Sequence, residues 1–144
     1  MLSSLIKRRT TVAKDKKTIL VVDDEDDARS FVEAVISKTG DFNILTAADG
    51  ENAVLKAKEE LPDLIILDVT MPKKDGFQVF SELRQNQLTS RIPIVMLTGI
   101  SAQGSVKFSK KDMGEFFGEE PDVFLDKPLD PEKLSKTIKT LLKI

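Results

Sequence analysis

The sequence has no cysteine, no histidine, no tryptophan and no tyrosine among its 144 residues. Without cysteine the chain has no disulfide framework and no thiol chemistry, which is compatible with the cytoplasm, where we expect the protein to act. Without histidine, the chain cannot use an imidazole base, a histidine metal ligand or a phosphohistidine of its own. Any chemistry therefore depends on carboxylates, hydroxyls and lysines.

Long hydrophobic runs and an excess of one charge are also missing. No apolar run is long enough to span a bilayer. The 22 basic and 24 acidic residues leave a net charge of -2, so we expect no direct contact with nucleic acid or membrane. Hydrophobic residues at 40% and charged residues at 32% fit one soluble globular domain with a sizeable core.

One stretch, residues 61–72, places a single carboxylate at the end of a buried strand. Residues 64–67 are all apolar, without polar alternation, which predicts a strand covered by helices on both faces. The strand ends at Asp68, and open α/β sheets place their chemistry at the carboxyl ends of strands. We therefore expect the functional site to be built around Asp68.

Strand and helix signals alternate along the chain from Thr18. Strands are predicted over residues 18–22, 43–46, 64–68, 92–97 and 122–125. Helices follow four of these strands, and their apolar faces include Phe31 in the first helix and Leu61 in the second. Residues 101–118 contain three glycines, which weaken helix propensity there. Right-handed crossovers between the strands give an α/β fold with a doubly wound five-stranded parallel sheet.

The predicted sheet brings several polar side chains to one edge, because the carboxyl ends of parallel strands meet there. They are Asp23 and Asp24 after strand one, Asp68 after strand three, Thr98 after strand four and Lys127 after strand five. Other polar residues nearby have structural interpretations. Asp26 and Asp27 are predicted to cap the helix that follows them, and Arg29 to be a surface charge.

Five motifs, in this order, resemble the receiver domain of two-component response regulators. They are Val22-Asp23-Asp24, Ile66-Leu67-Asp68, residues 71–76 (Met-Pro-Lys-Lys-Asp-Gly), Leu97-Thr98-Gly99 and Asp126-Lys127-Pro128. The resemblance covers about residues 18–143 and implies a flavodoxin-like receiver fold, similar to a single-domain chemotaxis regulator, with strand order 2-1-3-4-5. We expect residues 18–144 to be the receiver domain and the basic residues 1–17 to be a flexible leader.

The resemblance implies that Asp68 accepts a phosphoryl group from a sensor histidine kinase or a histidine phosphotransfer protein. Three neighbouring carboxylates repel one another unless a divalent cation lies between them, and Mg²⁺ prefers oxygen ligands, so we expect Mg²⁺ as the cofactor. Its predicted ligands are Asp24, Asp68 and the backbone carbonyl of Thr70, with Asp23 bound through water. Phosphorylation and hydrolysis would be self-catalysed, so we expect a signalling protein rather than a conventional enzyme.

The expected response to phosphorylation involves three further residues. The Lys127 ammonium would neutralise the phosphoryl oxygens. The Thr98 hydroxyl would bond the phosphoryl group and pull the loop after strand four inward, and Phe124 would change its rotamer. We expect the output surface on residues 101–118 and the last helix, where a downstream protein or a second copy of the chain would dock.

Two other classes of protein were compared with this prediction. A phosphatase of the haloacid-dehalogenase type needs a second aspartate two positions after Asp68, but Thr70 occupies that place. A receiver-like binding module that is never phosphorylated remains the alternative, although such a module would be expected to lack an acid, the threonine or the lysine. The chain ends at Ile144 without an output domain, so we expect a single-domain regulator or a receiver from a longer protein.

Overall fold

The computed structural model describes residues 15–99 and 121–144. Within these ranges, strands and helices alternate: β1 Thr18–Val22, α1 Asp26–Thr39, β2 Asn43–Ala47, α2 Gly50–Glu60, β3 Leu64–Asp68, α3 Gly76–Gln85, β4 Ile94–Gly99, β5 Val123–Lys127 and α4 Pro131–Leu142. The five strands form one parallel sheet in the order β2-β1-β3-β4-β5. The predicted fold and strand order are therefore confirmed.

The core consists of two hydrophobic clusters, one on each face of the sheet. Ile65 and Leu67 of β3 pack with residues of α2 and α3, whereas Leu64 and Ile66 pack with residues of α1 and α4. Alternate residues of a strand point to opposite faces. Because helices cover both faces, β1 and β3 are buried at every position, which explains the apolar runs at residues 19–22 and 64–67.

Side-chain caps fix the start of three of the described helices. Asp49 accepts the Asn52 N–H at 2.8 Å at the start of α2. Asp75 and Gln78 form a reciprocal capping box at the start of α3, with bonds of 2.9 and 3.0 Å. Asp130 accepts the Glu132 N–H at 3.0 Å at the start of α4.

The first helix begins differently, and the prediction that Asp26 and Asp27 cap it was wrong. Its N-cap is Glu25, whose side chain makes no capping hydrogen bond, and the two aspartates lie in the first turn of α1. There they interact favourably with the positive end of the helix dipole. The Glu25 N–H is instead bonded by the Asp23 carboxylate, at 3.0 Å.

The last two strands are shifted along the chain relative to the prediction. β4 begins after residue 93, because the Ile92 N–H closes a turn on the Thr89 carbonyl at 3.2 Å and Pro93 has no N–H to donate to the sheet. Both strands also continue further than predicted. Thr98 and Lys127 therefore lie within the ends of β4 and β5 rather than after them.

Two residues predicted to be buried lie at the surface. Leu61 is 46% exposed, because α2 ends at Glu60 and Leu61 adopts a left-handed conformation with φ of 48°. Phe31 is 42% exposed and borders a cleft between α1 and α4, together with Pro131 and Ser135. Helical periodicity predicted correctly which side of α1 faces the core, but it did not show that α4 leaves Phe31 partly uncovered.

Some predictions concern residues outside the described ranges. These are the leader up to residue 14 and the whole of the predicted output segment, residues 101–118. The end of the predicted leader does contact the domain: the Lys17 carbonyl accepts the Asn43 N–H at 2.9 Å, and the Lys16 ammonium lies 3.1 Å from the Asp41 carboxylate. Across the described residues, every helix is too short or too polar to cross a membrane.

Candidate functional site

Asp68 lies at the carboxyl end of β3, in the middle of the sheet. It is 3% exposed and pairs in register with Leu97 of β4, while the next residue, Val69, donates its N–H to the Leu97 carbonyl at 3.0 Å. A Cβ on Gly76 would lie 2.4 Å from the Asp68 carbonyl oxygen. Glycine at the start of α3 therefore allows that helix to pack directly against the end of β3.

A second close approach holds the loop between β3 and α3. A Cβ on Gly50, at the start of α2, would lie 2.6 Å from the Lys74 carbonyl oxygen. The loop that follows Asp68 is therefore packed against α2 by its backbone as well as against α3. Thr70 lies in this loop, two residues beyond Asp68, and is exposed.

Asp23 and Asp24 follow β1, the strand beside β3. Asp23 is 1% exposed, and its N–H donates to the Ala47 carbonyl of β2 at 3.2 Å. Asp24 is exposed. One carboxylate oxygen from each of Asp23, Asp24 and Asp68 lies within 4.8 Å of the others, so the three acids share one small volume.

Lys127 bridges two of these acids from the end of β5. Its Nζ lies 2.9 Å from Oδ1 of Asp68 and 3.1 Å from Oδ2 of Asp23. The Lys127 side chain is 26% exposed, whereas those of Asp68 and Asp23 are nearly inaccessible. The predicted convergence of β1, β3 and β5 on one crevice is therefore observed in the geometry.

Burial sets the protonation of this site. Burial is the main cause that raises the pKa of Asp68 from 3.8 to about 6. The hydrogen bond and charge of Lys127 act to lower this pKa, whereas the charges of Asp23 and Asp24 act to raise it. Burial acts to lower the pKa of Lys127, but the bonds and charges of Asp68 and Asp23 outweigh it and raise that pKa above 10.5. At neutral pH the Asp68 carboxyl is therefore mostly ionised and faces the protonated Lys127.

The donor set fits a divalent cation such as Mg²⁺. All the candidate ligand atoms are oxygens, and the excess of carboxylate over ammonium charge leaves the crevice negative. Asp23 is the least available of the three acids, since Oδ1 accepts the Glu25 N–H and Oδ2 faces Lys127. The outer position of Asp23 and the inner position of Asp24 stay predictions.

Thr98 has a different set of contacts from the acids. It is half-buried near the end of β4, and its Oγ1 donates to Oδ1 of Asp126 at 3.0 Å. Thr98 and Asp126 are register partners on β4 and β5. Phe124 is also half-buried and packs against the cluster on the α2 and α3 side of the sheet. The Thr98 hydroxyl is thus bonded to a carboxylate that the sequence analysis did not assign to the site.

Arg29 is a second residue whose contacts the sequence analysis missed. It was interpreted as a surface charge, but its side chain is only 17% exposed. Its Nη1 donates to the Asp23 backbone carbonyl at 2.7 Å, and its Nη2 is paired with the Asp26 carboxylate. Arg29 therefore holds the backbone turn that carries Asp23. The i,i+3 spacing of Asp26 and Arg29 was the available signal.

Comparisons with known proteins agree with this geometry. The sequence model of the response regulator receiver domain matches residues 19–139. The alkaline phosphatase synthesis transcriptional regulatory protein PhoP of Bacillus subtilis (strain 168) is 38% identical over 127 residues, which are 88% of this chain and 49% of PhoP. Histidine kinase P4 of Formosa agariphila is 35% identical over 129 residues, which are 90% of this chain and 9% of the kinase.

A solved structure extends the likeness to three dimensions. The chemotaxis protein CheY4 of Vibrio cholerae is 32% identical, with a TM-score of 0.73 over 88% of this chain and 98% of CheY4. The curated relatives are longer, and the chain spans about half the length of PhoP. The comparison with PhoP therefore concerns only part of that protein.

Proposed function

The chain belongs to the response regulator receiver family, and on that premise we propose that Asp68 accepts a phosphoryl group from a sensor histidine kinase or a histidine phosphotransfer protein. Receiver domains are signalling modules rather than conventional enzymes, and they interact with histidine kinases and downstream proteins. One observation carries the proposal. At the end of the central strand, the Lys127 ammonium lies 2.9 Å from a buried carboxylate with two further acids beside it.

Asp68 would act as the nucleophile. At neutral pH a carboxyl with a pKa of about 6 is largely ionised and can attack phosphorus. The new O–P bond forms as the N–P bond of the donor phosphohistidine breaks, and the electron pair of that bond stays on the imidazole of the donor. The product is an aspartyl phosphate on Asp68.

Lys127 and the neighbouring acids would prepare this step. The Lys127 ammonium, already 2.9 Å from Asp68, is placed to pair with a phosphoryl oxygen as negative charge gathers there. We propose Mg²⁺ as the cofactor, held by Asp24, Asp68 and the Thr70 carbonyl, with Asp23 bound through water. When bound, the cation supplies positive charge that screens the phosphoryl oxygens from the carboxylates.

The signal would then pass through β4 and β5. The Thr98 hydroxyl would bond the new phosphoryl group, and Phe124 would change its rotamer. The proposed output surface comprises residues 101–118 and α4, where a downstream protein or a second copy of the chain would dock. In this proposal residues 18–144 are the receiver domain, residues 1–17 are a leader, and the protein acts in the cytoplasm.

Phosphorylation by a small donor tests the proposal directly. The protein is incubated with Mg²⁺ and acetyl phosphate and then analysed by intact mass. We expect one added phosphoryl group, and we expect none when EDTA is present from the start of the incubation. Asp68→Asn is the matched control, since it keeps the shape of the side chain without the nucleophilic oxygen, and it should gain no mass. An unmodified wild-type chain would favour a receiver-like binding module.

A further inference from the structure

The hydroxyl that the proposed switch requires already has an acceptor. Thr98 Oγ1 donates to Asp126 Oδ1 at 3.0 Å, across the register pair that joins the ends of β4 and β5. A hydroxyl has a single proton to donate. Thr98 therefore cannot donate to Asp126 and to a phosphoryl oxygen at the same time.

The bond lies beside the second residue of the proposed switch. Phe124 pairs in register with Met96, and each lies two residues before a member of the Thr98–Asp126 pair. Side chains two residues apart in a strand point to the same face of the sheet. The Thr98–Asp126 bond therefore forms the next rung beside Phe124 on that face.

Asp126 and Lys127 are adjacent in β5 but contact different groups. As consecutive residues of β5 they point to opposite faces of the sheet. Lys127 contacts Asp23 and Asp68, whereas Asp126 accepts the Thr98 hydroxyl. One end of β5 thus holds both the proposed reacting carboxylate and the proposed switch hydroxyl.

We infer that Asp126 is a positioning residue that holds the Thr98 hydroxyl in the unphosphorylated chain and so opposes the conformational switch. The inference rests on the proposed function of Asp68 and Thr98. A phosphoryl group must displace the Asp126 carboxylate before it can recruit Thr98. Because Asp126 is exposed, water weakens the bond it must lose, so the opposition is modest.

A phosphoryl mimic measures this competition. Binding of beryllofluoride in the presence of Mg²⁺ is titrated by calorimetry, since the chain has no tryptophan for fluorescence. We expect Asp126→Ala to tighten beryllofluoride binding by about 3- to 10-fold, which corresponds to one exposed hydrogen bond to a charged group. In a Thr98→Val background, which lacks the hydroxyl, Asp126→Ala should have no effect.

The double-mutant cycle separates this mechanism from simple charge repulsion of an anionic ligand. If Asp126→Ala tightens binding equally with and without the Thr98 hydroxyl, the inference is wrong. Asp27→Ala is the matched charge control, because it removes another exposed carboxylate, at the start of α1, and it should leave the affinity unchanged. An equal gain in that variant would also overturn the inference.

A measurement without ligand keeps the two proposals distinguishable. NMR side-chain couplings of Thr98 in the ligand-free protein should show one dominant χ1 rotamer in the wild type and a mixture in Asp126→Ala. If the wild type binds beryllofluoride but both titrations and couplings are unchanged in Asp126→Ala, only the inference fails. If the wild type does not bind beryllofluoride at all, the proposed function fails and the role of Asp126 in switching fails with it.

Discussion

The site has two corners that differ in burial and in how firmly their side chains are held. In the acid corner, formed by Asp23, Asp24, Asp68 and Lys127, two carboxylates are almost fully buried and share one ammonium. In the hydroxyl corner, formed by Thr98 and Asp126, a half-buried threonine bonds one exposed carboxylate. Both corners lie at the same edge of the sheet.

The difference agrees with the roles proposed for the two corners, which are phosphoryl transfer in the acid corner and signalling in the hydroxyl corner. A charged group that must meet a phosphoryl group works best when its position is set beforehand, since nothing then has to reorganise during the reaction. A group that reports the reaction must instead be able to change partners, and a single bond near solvent has a low cost of exchange. The acid corner has the first property and the hydroxyl corner the second.

Removal of Lys127 should have the largest effect on the acid corner. Lys127→Ala takes away the ammonium next to Asp68, and we expect the rate of phosphorylation by acetyl phosphate to fall by about 100-fold or more. The rate is followed by intact mass, and circular dichroism checks that the variant is folded. If the variant does not fold, Lys127 is required for stability, and the predicted effect on the rate is contradicted.

The two acids after β1 should separate in a metal titration. We expect Asp24→Ala to weaken Mg²⁺ binding by about 100-fold and Asp23→Ala by about 10-fold, since both Asp23 oxygens are already engaged within the protein. Calorimetry of the two variants measures the difference. Equal losses would place Asp23 in direct contact with the ion and contradict its outer position.

The raised pKa of Asp68 predicts a pH dependence of stability in EDTA. Between pH 3.8 and about 6 the folded chain holds a proton that the unfolded chain has released, so rising pH lowers the free energy of unfolding in this window. Asp68→Asn lacks this term. Its stability relative to wild type should grow by on the order of 1 to 3 kcal/mol across the window, as measured by urea unfolding. A constant difference would show that Asp68 titrates normally.

The hydroxyl corner should give the smallest effects. Thr98→Val keeps the shape of the side chain and removes one exposed hydrogen bond, so we expect a loss of less than about 1 kcal/mol in the free energy of unfolding. The rate of phosphorylation by acetyl phosphate should change by less than about 3-fold, because in the proposed mechanism the hydroxyl acts only after transfer. A loss of rate comparable to that of Lys127→Ala would remove the distinction between the two corners.

The order of the elements could be predicted because the central strands carry a strong signal. β1 and β3 are continuous apolar runs that end in acids, and the rule that parallel strands present their carboxyl ends together placed Asp23, Asp68 and Lys127 in one crevice. The roles of these residues in phosphoryl transfer stay predictions, since the geometry establishes their proximity and not their chemistry.

The remaining details depend on contacts that the sequence does not encode locally. The Thr98–Asp126 bond requires the register between β4 and β5, and a one-residue slip of either strand would separate the two side chains. Arg29 was missed for a related reason: its partner is the backbone carbonyl of Asp23, and no residue type marks a carbonyl as an acceptor. Register and backbone acceptors come from the folded chain.

The two glycine contacts beside the loop after Asp68 have a consequence for entropy. The Lys74 carbonyl packs against Gly50 and the Asp68 carbonyl packs against Gly76, each at a distance that a Cβ atom would not allow. The loop is therefore packed between α2 and α3. Its backbone freedom was lost when the chain folded. In the proposed function, a phosphodonor would therefore meet an acceptor that has little conformational freedom left to lose. The entropic barrier would then lie mainly in bringing the two molecules together.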